Sequence, residues 1–158
     1  MHNHSIEIKE LSLENAVLLS DALSKEKLEY MKHFTPFEFS IASIKRILRG
    51  AVNDKYFGIF VEDQLAGFYM LRGMDDGYEI PAYGVWISSE FSNKGLSKLT
   101  LYHAFSFCRI NNIKKLMLKV HPENLIAKTL YESLGFEKVG IDEKNDNFIY
   151  HKTLAKNS

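Results

Sequence analysis

Two short stretches carry residue types that could do chemistry at a spacing that lets them act. Ile87 to Ser97 reads Ile-Ser-Ser-Glu-Phe-Ser-Asn-Lys-Gly-Leu-Ser, an apolar strand end running through a small polar loop. The loop opens into an expected helix, Lys98 to Asn112, rich in Leu, Phe and Tyr. A strand, a tight glycine loop and a helix start in series suit a phosphate. The unpaired N–H groups of a first helical turn point outward, and the helix dipole adds partial positive charge. The second stretch is Asn124-Leu-Ile-Ala127-Lys-Thr-Leu-Tyr131-Glu-Ser-Leu-Gly135-Phe136. Its i, i+3, i+7 spacing predicts a helix face shared by Asn124, Ala127 and Tyr131, which presents an amide and a phenol together beside a small residue that permits close approach. Ile126, Leu130 and Leu134 predict a second face packed on a sheet.

The elements that must position these residues follow from hydrophobic periodicity. Ile6 to Leu11 alternates as a half-buried strand. Ser12 offers a cap to a helix running from Leu13 to about Lys32, which Thr35-Pro36 breaks. Phe34, Phe37 and Phe39 lie in the connector, and Ser40 caps a second helix that ends at Gly50. Tyr56 to Val61 and Leu65 to Leu71 read as a hairpin, Arg72 to Gly77 as a polar turn, and Glu79 to Ile87 as a strand disturbed by Pro81. Lys115 to His121 is a strand and Asn124 to Leu134 a helix, with Gly135 at its left-handed C-cap. Phe136 to Gly140 and Asn147 to Leu154 close the chain as strands. The order βααβββαβαββ predicts a single α+β domain over residues 1–158 with a mixed central sheet and helices on both faces.

Length and composition fit one such domain. A chain of 158 residues buries roughly 68–70% of its unfolded surface, enough for a core. Twenty basic and twenty acidic residues cancel, which argues against nucleic acid or an anionic membrane as a partner. The one cysteine, Cys108, precludes an intramolecular disulfide; within an amphipathic helix it reads as a buried structural thiol. No stretch nears the ~20 apolar residues of a membrane span, and no basic segment leads into an apolar run at the N-terminus. The expected location is cytoplasmic. His2 and His4 are too few for a metal site, and none is expected.

The element order and both stretches resemble the GNAT superfamily of acetyl-CoA-dependent N-acetyltransferases, over residues 65–154. In that family a Gln/Arg-x-x-Gly-x-Gly/Ala loop cradles the coenzyme pyrophosphate with main-chain N–H groups. Here the loop is Ser92-Asn93-Lys94-Gly95-Leu96-Ser97, preceded by Ile87 at the usual apolar position. Gly95 matches, while Ser92 and Ser97 depart from the pattern. Lys94 and Lys98 either add charge attraction to the phosphates or are solvated. The family's Asn-x-x-Ala-x-x-x-Tyr-x-x-x-Gly-Phe is met at Asn124, Ala127, Tyr131, Gly135 and Phe136.

The resemblance implies direct transfer of acetyl from acetyl-CoA to a primary amine, with no metal. A main-chain N–H on the strand ending at Ile87 would polarise the thioester, and Tyr131 would serve as general acid for the departing sulfur. Glu79 is a candidate base or a solvated strand-start residue; His121 and Tyr83 are others. The acceptor side is expected at Phe34, Phe37, Arg72 and Tyr83, although the phenylalanines equally read as a core plug. Balanced charge points to a small amine, amino sugar or amino acid. Pairing through Phe148, Ile149 and Tyr150 at a late strand edge would give a homodimer. Alternatives are a hydroxyl or protein N-terminal acceptor, and a non-catalytic acyl-CoA sensor. A dinucleotide site fits poorly, since no Gly-x-Gly-x-x-Gly is present and the strands before the loop read as hairpins rather than a βαβ unit.

Overall fold

A computed structural model describes residues 3–154. The elements are β1 (Ile6–Glu10), α1 (Ala16–Ser24), α2 (Leu28–Met31), α3 (Ile41–Gly50), β2 (Lys55–Val61), β3 (Gln64–Arg72), β4 (Ala82–Ile87), α4 (Leu96–Ile110), β5 (Lys115–Val120), α5 (Leu125–Ser133), β6 (Glu137–Ile141) and β7 (Phe148–Thr153). Single turns of 3-10 helix lie at Leu13–Asn15, Met74–Asp76 and Ser89–Phe91. The strands form one sheet in the order β1-β2-β3-β4-β5-β7-β6. β4 and β5 are parallel, whereas β1 with β2, β5 with β7 and β6 with β7 are antiparallel. This is the expected α+β mixed sheet, with the long first helix divided. Lys25 still has right-handed helical angles, but Lys27 is extended, so α1 and α2 are separate helices joined at Lys25–Lys27.

Two compact units emerge among the described residues, one comprising residues 3–70 with Val85–Ser97, the other Leu71–Gly84 with residues 98–154. In the first, the sheet carries helices on both faces. Tyr56, Phe60, Phe68, Met70 and Trp86 join Leu19 and Leu23 of α1 and Ile44 of α3 in one apolar cluster. Ile59, Ala66 and Ile87 join Leu96, at the start of α4, and Phe91 in another. Ala66 and Phe68, two residues apart, should share a face by strand alternation, yet they enter opposite clusters. The alternation slips at Gly67, where a Cβ would stand 2.5 Å from the Trp86 carbonyl oxygen. Only glycine allows β3 to approach β4 that closely.

The second unit is built on β5, β7 and β6. Leu101, Ala104, Phe105 and Cys108 are buried along α4 at i, i+3, i+4 and i+7. Leu116, Leu118 and Val120 are buried at alternate positions of β5. Two expectations fail here. β7 pairs on both sides, with β5 and with β6, so Phe148, Ile149 and Tyr150 offer no open edge for a dimer. Ile126 is 85% exposed, so the face it was expected to share with Leu130 and Leu134 does not lie flat on a sheet. Among the described residues no helix is long and apolar enough to cross a membrane.

Candidate functional site

In the first unit β4 ends at Ile87 and passes through the 3-10 turn Ser89–Phe91 before reaching the loop. The sequence gives no sign of that turn. Asn93 (φ 62°) and Gly95 (φ 80°) are both left-handed, and α4 starts at Leu96, two residues earlier than predicted. The space around Gly95 is open; glycine is required there for its backbone conformation. Asn93, Lys94, Gly95 and Lys98 are exposed, Ser92 and Ser97 half-buried and Leu96 buried. Ser92, in place of Gln or Arg, donates its hydroxyl back to the Ser89 carbonyl at 2.9 Å. The loop therefore presents backbone and a helix start, as a phosphate site of this kind requires.

The same unit holds two contacts that sequence reasoning missed. Glu26 accepts hydrogen bonds from Trp86 Nε1 (3.0 Å), Ser89 N–H (3.0 Å) and Ser89 Oγ (2.8 Å). Tyr30 O–H donates to the Ile87 carbonyl at 2.6 Å. Both link residues about sixty positions apart, and nothing in local pattern signals them. Ser88 N–H donates to Ala66 of β3, so by strand alternation the Ile87 N–H and carbonyl lie on the side of β4 away from β3. Phe34 and Phe37 pack with Phe39, Phe68 and Trp86. That places them, partly buried, at the margin of the core.

In the second unit Tyr131 is half-buried on α5, its ring edge-on to Tyr83 (centroids 6.5 Å apart) and to Phe136 (5.8 Å). Burial pushes the Tyr131 phenol up to about 12, so it stays protonated across the working pH range. Gly135, at φ 94°, closes the helix as expected. Tyr83 is buried, and its hydroxyl lies 2.7 Å from Thr100 Oγ1. Thr100 is fully buried in register with Leu96, Ala104 and Cys108 along α4. A threonine on such a stripe is a readable signal that its hydroxyl meets a partner.

Several candidate residues take different positions from those predicted. Asn124 lies outside α5 and caps it, its Oδ1 accepting from Ala127 N–H at 3.1 Å. Its side-chain oxygen is thus engaged at the helix start. Glu79 is exposed in the bend ahead of β4, which begins only at Ala82. The Pro81 carbonyl accepts from Met117 N–H, and the strand parity expected between Glu79 and Tyr83 does not exist. Arg72 closes β3 just before Gly73, at φ 110°. His121 Nδ1 accepts from Glu123 N–H at 3.1 Å, which sets the neutral ring's proton on Nε2. Cys108 is fully buried, and its thiol is raised to about 11 by burial, with Arg109 pulling the other way.

The chain matches the acetyltransferase (GNAT) family over residues 20–136. It is 28% identical over 83 residues to N-acetylaspartate synthetase of Danio rerio, covering 52% of this chain and 29% of that protein. It is 29% identical over 80 residues to the ribosomal protein bS18-alanine N-acetyltransferase of Salmonella typhimurium, covering 51% of this chain and 53% of that one. The match thus spans about half or less of each relative. The PaiA N-acetyltransferase of Thermoplasma acidophilum, solved in complex with coenzyme A, shares the fold with a TM-score of 0.76 at 21% identity. That likeness covers 94% of this chain and 99% of the other.

Proposed function

We propose a reaction for this chain on the premise that it belongs to the acetyltransferase (GNAT) family. It moves an acetyl group from acetyl-CoA to the primary amine of a small molecule by direct transfer, as one acyltransferase domain in the cytoplasm. The observation that carries this reading is the left-handed turn at Asn93 and Gly95 leading into α4. It gives a pyrophosphate main-chain donors and a helix N-terminus without needing a long polar side chain.

The amine nitrogen attacks the thioester carbonyl and a tetrahedral oxyanion forms. Main-chain N–H on β4 near Ile87 stabilises that charge. The C–S bond then breaks and the coenzyme leaves as thiolate, with Tyr131 O–H donating to the sulfur. A phenol near 12 facing a thiol near the ordinary ~8.5 makes complete proton transfer uphill by roughly 5 kcal/mol. Tyr131 therefore acts chiefly by hydrogen-bonding the developing thiolate, while the amine sheds its proton to a base. Glu79 is the proposed acceptor of that proton, and Arg72 the contact for an anionic group on the acceptor. The names of both curated relatives involve an amino acid or an amino-acid residue, which puts α-amines first in the order of acceptors to try.

Acetyl-CoA in a melting experiment, followed by thiol release across amino acids, amines, amino sugars and N-terminal peptides, tests the proposal. Ligand at a hundred times Kd adds about 2.7 kcal/mol of stability, and at least one small amine should release thiol. No melting shift with any acyl-CoA removes the coenzyme site. A shift with no thioester consumed makes the protein a sensor, and turnover of peptides alone makes its acceptor a protein N-terminus.

A further inference from the structure

We infer that Glu26 braces the phosphate loop from the α1–α2 junction and thereby sets coenzyme affinity, acting as a positioning residue. The inference rests on the acetyl-CoA reading above. Glu26 lies in the three-residue break between α1 and α2. One carboxylate oxygen accepts from Trp86 Nε1 and from Ser89 N–H, and the other from Ser89 Oγ. Trp86 is buried in the first apolar cluster, so its indole N–H needs an acceptor on the spot. Glu26 meets that need and, with the same group, grips the first residue of the 3-10 turn.

The grip is passed on. The Ser89 carbonyl accepts from Ser92 Oγ at 2.9 Å and from Ser92 N–H at 3.4 Å. Ser92 is followed immediately by left-handed Asn93 and, three residues on, by left-handed Gly95. A continuous chain of hydrogen bonds thus runs from Glu26 through Ser89 and Ser92 to the point where the backbone turns to present its N–H groups. Where the family pattern has a long Gln or Arg, this chain has a serine that turns inward and joins the brace. A loop ordered before the ligand arrives loses less conformational freedom on binding. Affinity that a long side chain would supply by contact is here supplied by pre-ordering.

Calorimetric titration with coenzyme A tests this on the wild type, Glu26→Ala, Glu26→Gln and Ser92→Ala, well below the lowest melting temperature, alongside kcat at saturating acetyl-CoA. Glu26→Ala should raise Kd at least tenfold with kcat at saturation changed less than threefold, and Ser92→Ala should raise Kd at least threefold. In Glu26→Gln the amide oxygen can still accept from Trp86 and Ser89, while the amide nitrogen donates to the Ser89 hydroxyl. Its Kd should stay within threefold of wild type. A Kd in Glu26→Ala equal to that of wild type overturns the brace; if that variant does not fold, an unchanged Kd in Ser92→Ala does so. Wild-type protein that binds no coenzyme takes down the acetyl-CoA reading itself, and the brace with it.

Discussion

The Tyr83 hydroxyl and Thr100 Oγ1 lie 2.7 Å apart with both side chains buried, and the Tyr83 ring stands edge-on to Tyr131. A buried hydroxyl pair of this kind fixes the ring it carries, and through that ring the phenol of Tyr131. Tyr83→Phe should cost about 1–2 kcal/mol, since it removes one partner of a buried hydrogen bond. Thr100→Val should cost a similar amount. The double variant should show a coupling of about 1 kcal/mol by denaturant unfolding, because both single changes break one interaction. If Tyr83 acts only through Tyr131, Tyr83→Phe lowers kcat while acceptor KM moves less than threefold; a larger KM change would return Tyr83 to the acceptor side.

Tyr131→Phe keeps the edge-on packing with Tyr83 and Phe136 and removes only the donor. A donor aimed at the charge developing on the sulfur contributes roughly 10²- to 10³-fold, so kcat should fall at least tenfold with coenzyme A Kd little changed. Because burial holds the phenol near 12, the wild-type kcat profile should show no alkaline limb from this group below about pH 11. Stopped-flow thiol release between pH 6 and 10.5 reads both quantities. Unchanged turnover in the phenylalanine variant would remove Tyr131 from the chemistry.

Gly67 and Gly95 separate two reasons for glycine. A Cβ on Gly67 would meet the Trp86 carbonyl oxygen at 2.5 Å and Ile87 Cα at 3.1 Å. Gly67→Ala must therefore move backbone between β3 and β4, at a cost of about 1–3 kcal/mol. Gly95 has open space but a φ of 80°, so Gly95→Ala costs about 1 kcal/mol of backbone strain. Asparagine tolerates that region better than other side chains. In thermal melts Gly67→Ala should therefore be the more damaging change, whereas Gly95→Asn should bind coenzyme A more tightly than Gly95→Val. Equal behaviour of the Asn and Val variants would show that the loop does not need its left-handed residue.

Local pattern made most of the frame legible. The capping of α3 by Ser40, the turn at Glu62-Asp63, the glycine C-cap at Gly135 and the Asn124–Phe136 segment are short-range features that sequence encodes directly. Long-range partners are another matter. Glu26 and Tyr30 look like surface residues of a helix, and only folding brings them to Trp86, Ser89 and Ile87. Strand alternation also misled where the backbone slips or starts late. Pro81 delays β4 to Ala82, so Glu79 falls outside the strand. Pairing order was equally hidden, since sequence proximity of the last two strands does not reveal that β7 inserts between β5 and β6.

Stability should fall at both ends of the pH scale, in three windows set by named groups. Burial lowers His103 and His151 below the ordinary 6.5, with Lys115 adding to the effect on His151. The unfolded chain then binds protons the folded one refuses, so stability falls as pH drops below about 6.5. Asp142 is held below its ordinary 3.8 by the side-chain hydrogen bond from Lys119 and by the Lys144 N–H. Its contribution is complete above 3.8 and is lost as pH falls through the lower folded value. Tyr131 and Tyr150 are raised from 10.0 to about 12, by burial in both and by the bond to Glu132 in Tyr150. Their contribution is complete below pH 10 and is lost as pH rises towards 12. Melting temperature should thus be flat from about pH 7 to 8.5 and decline on either side, the Cys108 thiol, raised by burial from 9.0 to about 11, opening the alkaline fall. Replacing both histidines with glutamine should flatten the first acid step alone, and Asp142→Asn the second alone. A melting temperature that climbs between pH 7 and 5.5 would mean that the two imidazoles are not shielded by the packing around them.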